Sequence, residues 1–149
     1  MVTAAGSATD LAARLACADV VRASFQLIDD GHATQAAGLY TVDGTLTLSD
    51  ATKPAGDVTL RGPDIHGAMR EREAAARTTV HVLTPSAFRI TSPDRAESDC
   101  HLQLYVLGDD RSASPKPRAL SHVRDELARG ADGTWRIAAR RITILAGSR

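Results

Sequence analysis

The sequence predicts an α+β fold, with three N-terminal helices laid against a curved, mainly antiparallel sheet. Three helices against four or five long strands form a cone-shaped barrel that encloses a pocket. Two observations carry this prediction. Apolar side chains recur at steps of three and four through the first thirty residues, which is the helical period. The second half instead falls into alternating segments separated by turn chemistry. With 149 residues, 43% of them hydrophobic, the chain suffices for one sizeable core and is too short for two ordinary ones. A single domain over 1–149 is expected, ordered from about residue 10 to residue 146.

The first helix is read from Leu11, Leu15, Ala18, Val21, Phe25 and Ile28, which share one face. Thr9 or Asp10 caps its start, and Gly31 ends it in a left-handed turn. A shorter helix follows over about 33–40. Asp43-Gly44 reads as a turn into the alternating run Thr45-Leu46-Thr47-Leu48, residues 49–56 as loop, and 58–60 as a short strand. Gly62-Pro63-Asp64 suits a helix entry with proline in the first turn, and this third helix runs to about Ala75. Strands are expected at 78–83, 87–91, 96–107, 118–128 and 134–145. Ser92-Pro93-Asp94 and Ala131-Asp132-Gly133 read as hairpin turns, and 108–117, rich in Pro, Asp and Ser, as a mobile loop.

Composition excludes several classes. Eighteen basic and eighteen acidic side chains balance to zero, which argues against a nucleic-acid binder that needs a basic surplus. No apolar run approaches the roughly 20 residues that cross a bilayer. The segment 1–10 has neither a basic nor an apolar leader region, so a cytoplasmic protein is expected. Cys17 and Cys100 lack a CxxC spacing and read as reduced, buried thiols. No GxSxG, P-loop or dinucleotide fingerprint is present, which argues against nucleophile-elbow hydrolysis and nucleotide use.

Strand alternation sorts the remaining polar residues. On the long strand Ala96, Ser98, Cys100, Leu102, Leu104 and Val106 share a smooth face, and Glu97, Asp99, His101, Gln103, Tyr105 and Leu107 share the other. On the preceding strand His81 lies with Thr79 and Leu83. A lone histidine in an apolar strand is more often a packed residue than a catalyst. Asp29 and Asp30 close an apolar helical face, where acids oppose the macrodipole at about 0.3–1 kcal/mol each when exposed. Helices covering the polar face would leave the smooth face outside, where it would bury against a second copy; a homodimer through the sheet is expected.

The order of elements and several motifs together resemble the SnoaL-like domains of the nuclear-transport-factor-like superfamily. These are Phe25-x-x-x-Asp29-Asp30-Gly31-His32, Leu39-Tyr40-x-x-Asp43-Gly44, Arg61-Gly62-Pro63-Asp64-Ile65, Thr79-Val80-His81, and Arg124-Asp125-Glu126-Leu127 followed by Asp132-Gly133-Thr134-Trp135-Arg136-Ile137 and Arg140. The resemblance spans about residues 11–145. In site pattern it is most similar to the scytalone dehydratases, which eliminate water from a ketol with an Asp–His pair and a second histidine, without metal or organic cofactor. On that resemblance the catalytic positions are Asp29, His81 and His101. Two tyrosines of that family fall on Ile28 and Leu48, and its pocket asparagine near Arg124.

The resemblance implies a cofactor-independent lyase or isomerase acting on a small carbonyl-bearing polyketide-, steroid- or aromatic-like molecule. Asp29 would orient His101 as base, and His81 would hold a water or protonate the leaving hydroxyl. Tyr40, Leu48, Tyr105 and Arg124 are the expected substrate contacts. A two-histidine, one-carboxylate metal set from the same residues is a weaker reading, and no metal is expected. Rivals are a non-catalytic binding module or dioxygenase small subunit, and third an epoxide hydrolase with an Asp–Arg–Asp set. Within this reading the partners are a small hydrophobic or aromatic molecule and a second copy, with neither nucleic acid nor membrane.

Overall fold

The computed structural model describes residues 7–53 and 55–148. The first six residues of the segment read as lacking a leader lie outside the described residues, as does Pro54 of the expected 49–56 loop. Helix α1 spans Ala8–Asp29, α2 Ala33–Ala37 and α3 Pro63–Ala74. The strands are β1 Tyr40–Asp50, β2 Val58–Arg61, β3 Thr79–Leu83, β4 Ala87–Ser92, β5 Arg95–Val106, β6 Ala119–Arg129 and β7 Trp135–Gly147. They form one curved sheet in the order β2-β1-β7-β6-β5-β3, with β4 beside the first half of β5. Neighbours are antiparallel except β1 and β7, which run parallel. The α+β architecture with three helices on one face is the expected one, and the sheet stays open, with β2 at one end of the order and β3 at the other. Among the described residues no helix is long and apolar enough to cross a membrane.

Local signals account for most boundaries. Ser7 rather than Thr9 or Asp10 caps α1, its side chain accepting from the Asp10 N–H at 3.2 Å. Gly31 takes φ +82°, a conformation glycine adopts without steric cost, and the chain turns out of α1 there. Pro63 sits in the first turn of α3, and both expected hairpin turns join their strands. The second helix ends earlier than expected, because Tyr40 already pairs with Ile137 in the sheet. Asp43-Gly44 does not start a strand. It lies inside β1, where the pairing jumps from Tyr40↔Ile137 to Thr45↔Ala139 and pushes Val42 out, 95% exposed. The turn chemistry is used as a bulge within one strand.

Three apolar clusters lie between the helices and the inner face of the sheet. Cys17 and Val21 of α1 pack on Ala96, Leu127 and Trp135. Phe25, one turn further, packs on Cys100, Leu102 and Val123. Ala37, Tyr40, Leu46, Ile65 and Ile137 form the third. The buried stripe of α1 therefore runs through Cys17, Val21, Ser24 and Phe25. Leu11 and Leu15, expected on that stripe, are 59% and 60% exposed, because the face of α1 that packs there runs through Ala13, Ala16 and Cys17. The smooth face of β5 is also corrected: Cys100 and Leu102 are covered by Phe25 of α1, so a second copy cannot bury them. A dimer through the sheet has only the opposite face, rich in charge, available to it.

Candidate active site

Asp29 is the last residue of α1, and three donors from β3 converge on its carboxylate. Oδ1 accepts from the Thr79 hydroxyl at 2.9 Å and faces His81 Nδ1 at 2.6 Å; Oδ2 accepts from the His81 backbone N–H at 2.8 Å. An acid at a helix C-terminus is unfavourable by about 0.3–1 kcal/mol. Hydrogen bonds to a charged group contribute about 1.5–3 kcal/mol net each, so the three together more than offset that cost. Because the carboxylate is the acceptor, Nδ1 carries the proton and Nε2 keeps its lone pair.

His81 is largely enclosed, its side chain 11% exposed, with its ring 5.2 Å from that of Phe25. Burial pushes its pKa below the ordinary 6.5, Asp29 pulls it back, and the Arg72 and Arg140 guanidinium groups push it down again, leaving it lowered. The imidazole is thus neutral near pH 7 and able to accept a proton at Nε2.

Two arginines flank this pair. Arg72 of α3 donates to the Thr79 hydroxyl at 2.9 Å and to the Arg77 carbonyl at 3.1 Å. Arg140 of β7 is buried, forming two bonds of 2.7 Å to Asp125 and one of 2.8 Å to Ser24. Its guanidinium lies 4.4 Å over the Phe25 ring and 6.0 Å from the Tyr40 ring. Burial raises the Tyr40 pKa, so its phenol stays protonated. Tyr40 and the half-buried Leu48 lie on this inner side, in or against the third apolar cluster.

The structure does not bring His101, Tyr105 and Arg124 to this site. In β3 and β5 the directly opposed pairs are Thr79↔Val106, His81↔Leu104 and Leu83↔Leu102, so His81 shares the inner face with the smooth residues of β5. His101 is one residue out of step and points away. It pairs with His122, the two rings stacked at 5.1 Å, and the expected Asp29–His101 bond is replaced by Asp29–His81. Tyr105 bonds its face neighbour Gln103 at 3.2 Å, and Arg124 bonds Asp99 at 3.1 Å, both on the outer face. The two-histidine, one-carboxylate set is likewise split by the sheet, and among the described residues no three His, Cys, Asp or Glu side chains converge as metal ligands.

On the outer face Asp99 also holds His122 Nε2 at 2.6 Å. A groove of about 760 Å³ opens nearby, lined by Arg89, Glu97, Asp99, Arg124 and Arg141 among others. Its arginines are each already paired, Arg89 with Glu97, Arg124 with Asp99 and Arg141 with Asp57.

Sequence reasoning missed Arg72, Asp125 and the inward placement of Arg140. Asp125 carried a signal, since an acid at alternate positions with Val123 and Leu127 falls on the buried face. Arg140 did not. Counting from the hairpin turn sets it on the outer face with Arg136, but a bulge at Ala138 shifts the register to Glu126↔Ala139 and Asp125↔Arg140 and turns its side chain inward.

This geometry sits on a fold with many solved counterparts. A scytalone-dehydratase-like protein from Novosphingobium aromaticivorans has 13% identity and a TM-score of 0.76, over 95% of this chain and 89% of that one. A protein from Catenulispora acidiphila, solved in complex with S-DNPA, has 19% identity and a TM-score of 0.72, over 90% and 94% of the two chains. A chain from N. aromaticivorans, described as the beta subunit of an aromatic-ring-hydroxylating dioxygenase, has 14% identity and a TM-score of 0.73, over 94% and 92%. No curated protein matches the sequence. Residues 9–141, nearly the whole described chain, match one family over their full length, and the protein belongs to the SnoaL-like domain family.

Proposed function

We propose that the protein is a cofactor-independent lyase or isomerase that uses His81 as its proton carrier on a small carbonyl-bearing, polyketide- or aromatic-like molecule. The observation that carries this reading is the 2.6 Å Asp29–His81 contact, which orients a neutral imidazole. The Nε2 lone pair removes a proton α to the carbonyl: the C–H bond breaks, N–H forms and an enolate results. The imidazolium, stabilised by Asp29, then gives that proton to a β-hydroxyl leaving as water or, where the substrate is a β,γ-unsaturated ketone, to the γ-carbon of the dienolate. With His101 across the sheet, one imidazole performs both transfers, so removal and return occur on one face of the substrate. Syn elimination or suprafacial isomerisation follows. Tyr40 serves in this reading as a substrate contact, with Leu48 as apolar lining.

A screen of β-hydroxy-ketones with wild type and His81→Asn tests the reading. Turnover lowered about 10²–10⁴-fold in the variant, the usual worth of general acid–base help, is the expected result. Turnover that survives the substitution overturns it. A second reading has its own observation: Asp29 also accepts the His81 backbone N–H, so the pair can act as a clasp between α1 and β3 in a non-catalytic module. In that case Asp29→Asn lowers stability, no hydroxy-ketone is turned over, and a larger partner co-purifies.

A further inference from the structure

We propose that Arg72, acting through Thr79, is a positioning residue for the Asp29–His81 pair and keeps His81 in its proton-accepting form. The inference rests on the role given to His81 above, and nothing in the family resemblance assigns Arg72. The chain of contacts is continuous across three elements. The Arg72 guanidinium on α3 donates to Thr79 Oγ1 at 2.9 Å, Thr79 Oγ1 donates to Asp29 Oδ1 at 2.9 Å, and that same oxygen receives His81 Nδ1 at 2.6 Å. Thr79 is 5% exposed, so its hydroxyl has no freedom to seek water instead.

Each link has a consequence. A hydroxyl polarised by a guanidinium is a stronger donor, so Asp29 Oδ1 is held in place and part of its charge is taken up before His81 reaches it. The carboxylate then orients the imidazole without pulling its proton affinity far upward. The second Arg72 bond, to the Arg77 carbonyl beyond the end of α3, fixes the guanidinium in the plane that reaches Thr79. The charged groups acting on His81 are Asp29 from α1, Arg72 from α3 and Arg140 from β7. Arg140 is already neutralised by Asp125. Arg72, whose bonds go to the Thr79 hydroxyl and the Arg77 carbonyl, is the cation that can be removed without leaving a buried carboxylate unpaired.

The experiment is an NMR titration of the His81 ring in wild type, Arg72→Met, Thr79→Val and the conservative Thr79→Ser, with thermal melts to establish folding. Arg72→Met and Thr79→Val are expected to move the His81 midpoint upward by more than about 0.3 pH unit, a twofold change in the imidazolium-to-imidazole ratio. Thr79→Ser restores the hydroxyl and is expected to titrate like wild type. Loss of stability alone does not move this midpoint. Folded Arg72→Met and Thr79→Val proteins with unmoved midpoints overturn the proposal. Because the titration needs no substrate, it stands or falls apart from the hydroxy-ketone screen: moved midpoints without turnover keep the relay and remove the enzyme.

Discussion

Among the described residues, two Asp–His pairs of equal length lie on opposite faces of one sheet. Asp29–His81 and Asp99–His122 both measure 2.6 Å, yet the first lies under α1 with side chains 18% and 11% exposed, and the second lies outside at 42% and 25%. The arginines repeat the contrast, Arg140–Asp125 being buried at 3% and 0% and Arg124–Asp99 open at 70% and 42%. Distance alone does not separate these pairs; solvent does. Water screens the outer charges and competes for their hydrogen bonds, whereas inside the sheet every unmet bond has its full cost. The inner pair joins an imidazole whose pKa is depressed by burial to a face covered by helices.

The largest test removes one partner from each ion pair. Asp125→Ala strands Arg140 without its partner in the core and is expected to destabilise by about 3–5 kcal/mol. Asp99→Ala is expected to cost under about 1 kcal/mol. Urea midpoints measure both, and equal losses would erase the distinction between the faces.

The pH dependence sharpens the comparison. Folding lowers the His81 pKa from 6.5, so below that value the unfolded chain binds the extra proton and stability declines as pH falls through 6.5 toward the folded midpoint. The Asp99 pKa is lowered from 3.8, chiefly by its hydrogen bond to His122, so its contribution is intact above 3.8 and is lost as pH falls further. Denaturation at a series of pH values should therefore show a first decline that His81→Asn removes and a later one that Asp99→Asn reduces. If His81→Asn leaves the first decline unchanged, the buried imidazole is not its source.

The smallest effect is expected at His101. Its ring stacks on His122 in the open, so His101→Asn should change stability by no more than about 0.5 kcal/mol and leave any hydroxy-ketone turnover at the wild-type level. A large loss of turnover would return His101 to the chemistry and contradict its placement across the sheet.

Periodicity and turn chemistry made much of this protein legible. The helical step through Val21 and Phe25, Gly31 at the helix end, Pro63 at the next helix start, and the alternation of Cys100 and Leu102 against His101 and Gln103 are local properties of the chain, and each is present in the structure. Asp29 at the end of α1 and His81 beside Thr79 were likewise visible. What alternation cannot say is which face of one strand coincides with which face of the next. That depends on register, and a slip of one residue exchanges the faces entirely. His81↔Leu104 put His81 on the smooth side of β5 and sent His101 outward. The bulge between Ile137 and Arg140 turned an apparent surface arginine into the buried partner of Asp125, and Arg72 reached Thr79 only because α3 packs where it does. Most elements, and the alternation along each unbulged stretch of strand, were set locally, because those follow from neighbours along the chain. Tertiary structure alone decided which histidine met Asp29, because that choice is made between strands by register and by what covers each face.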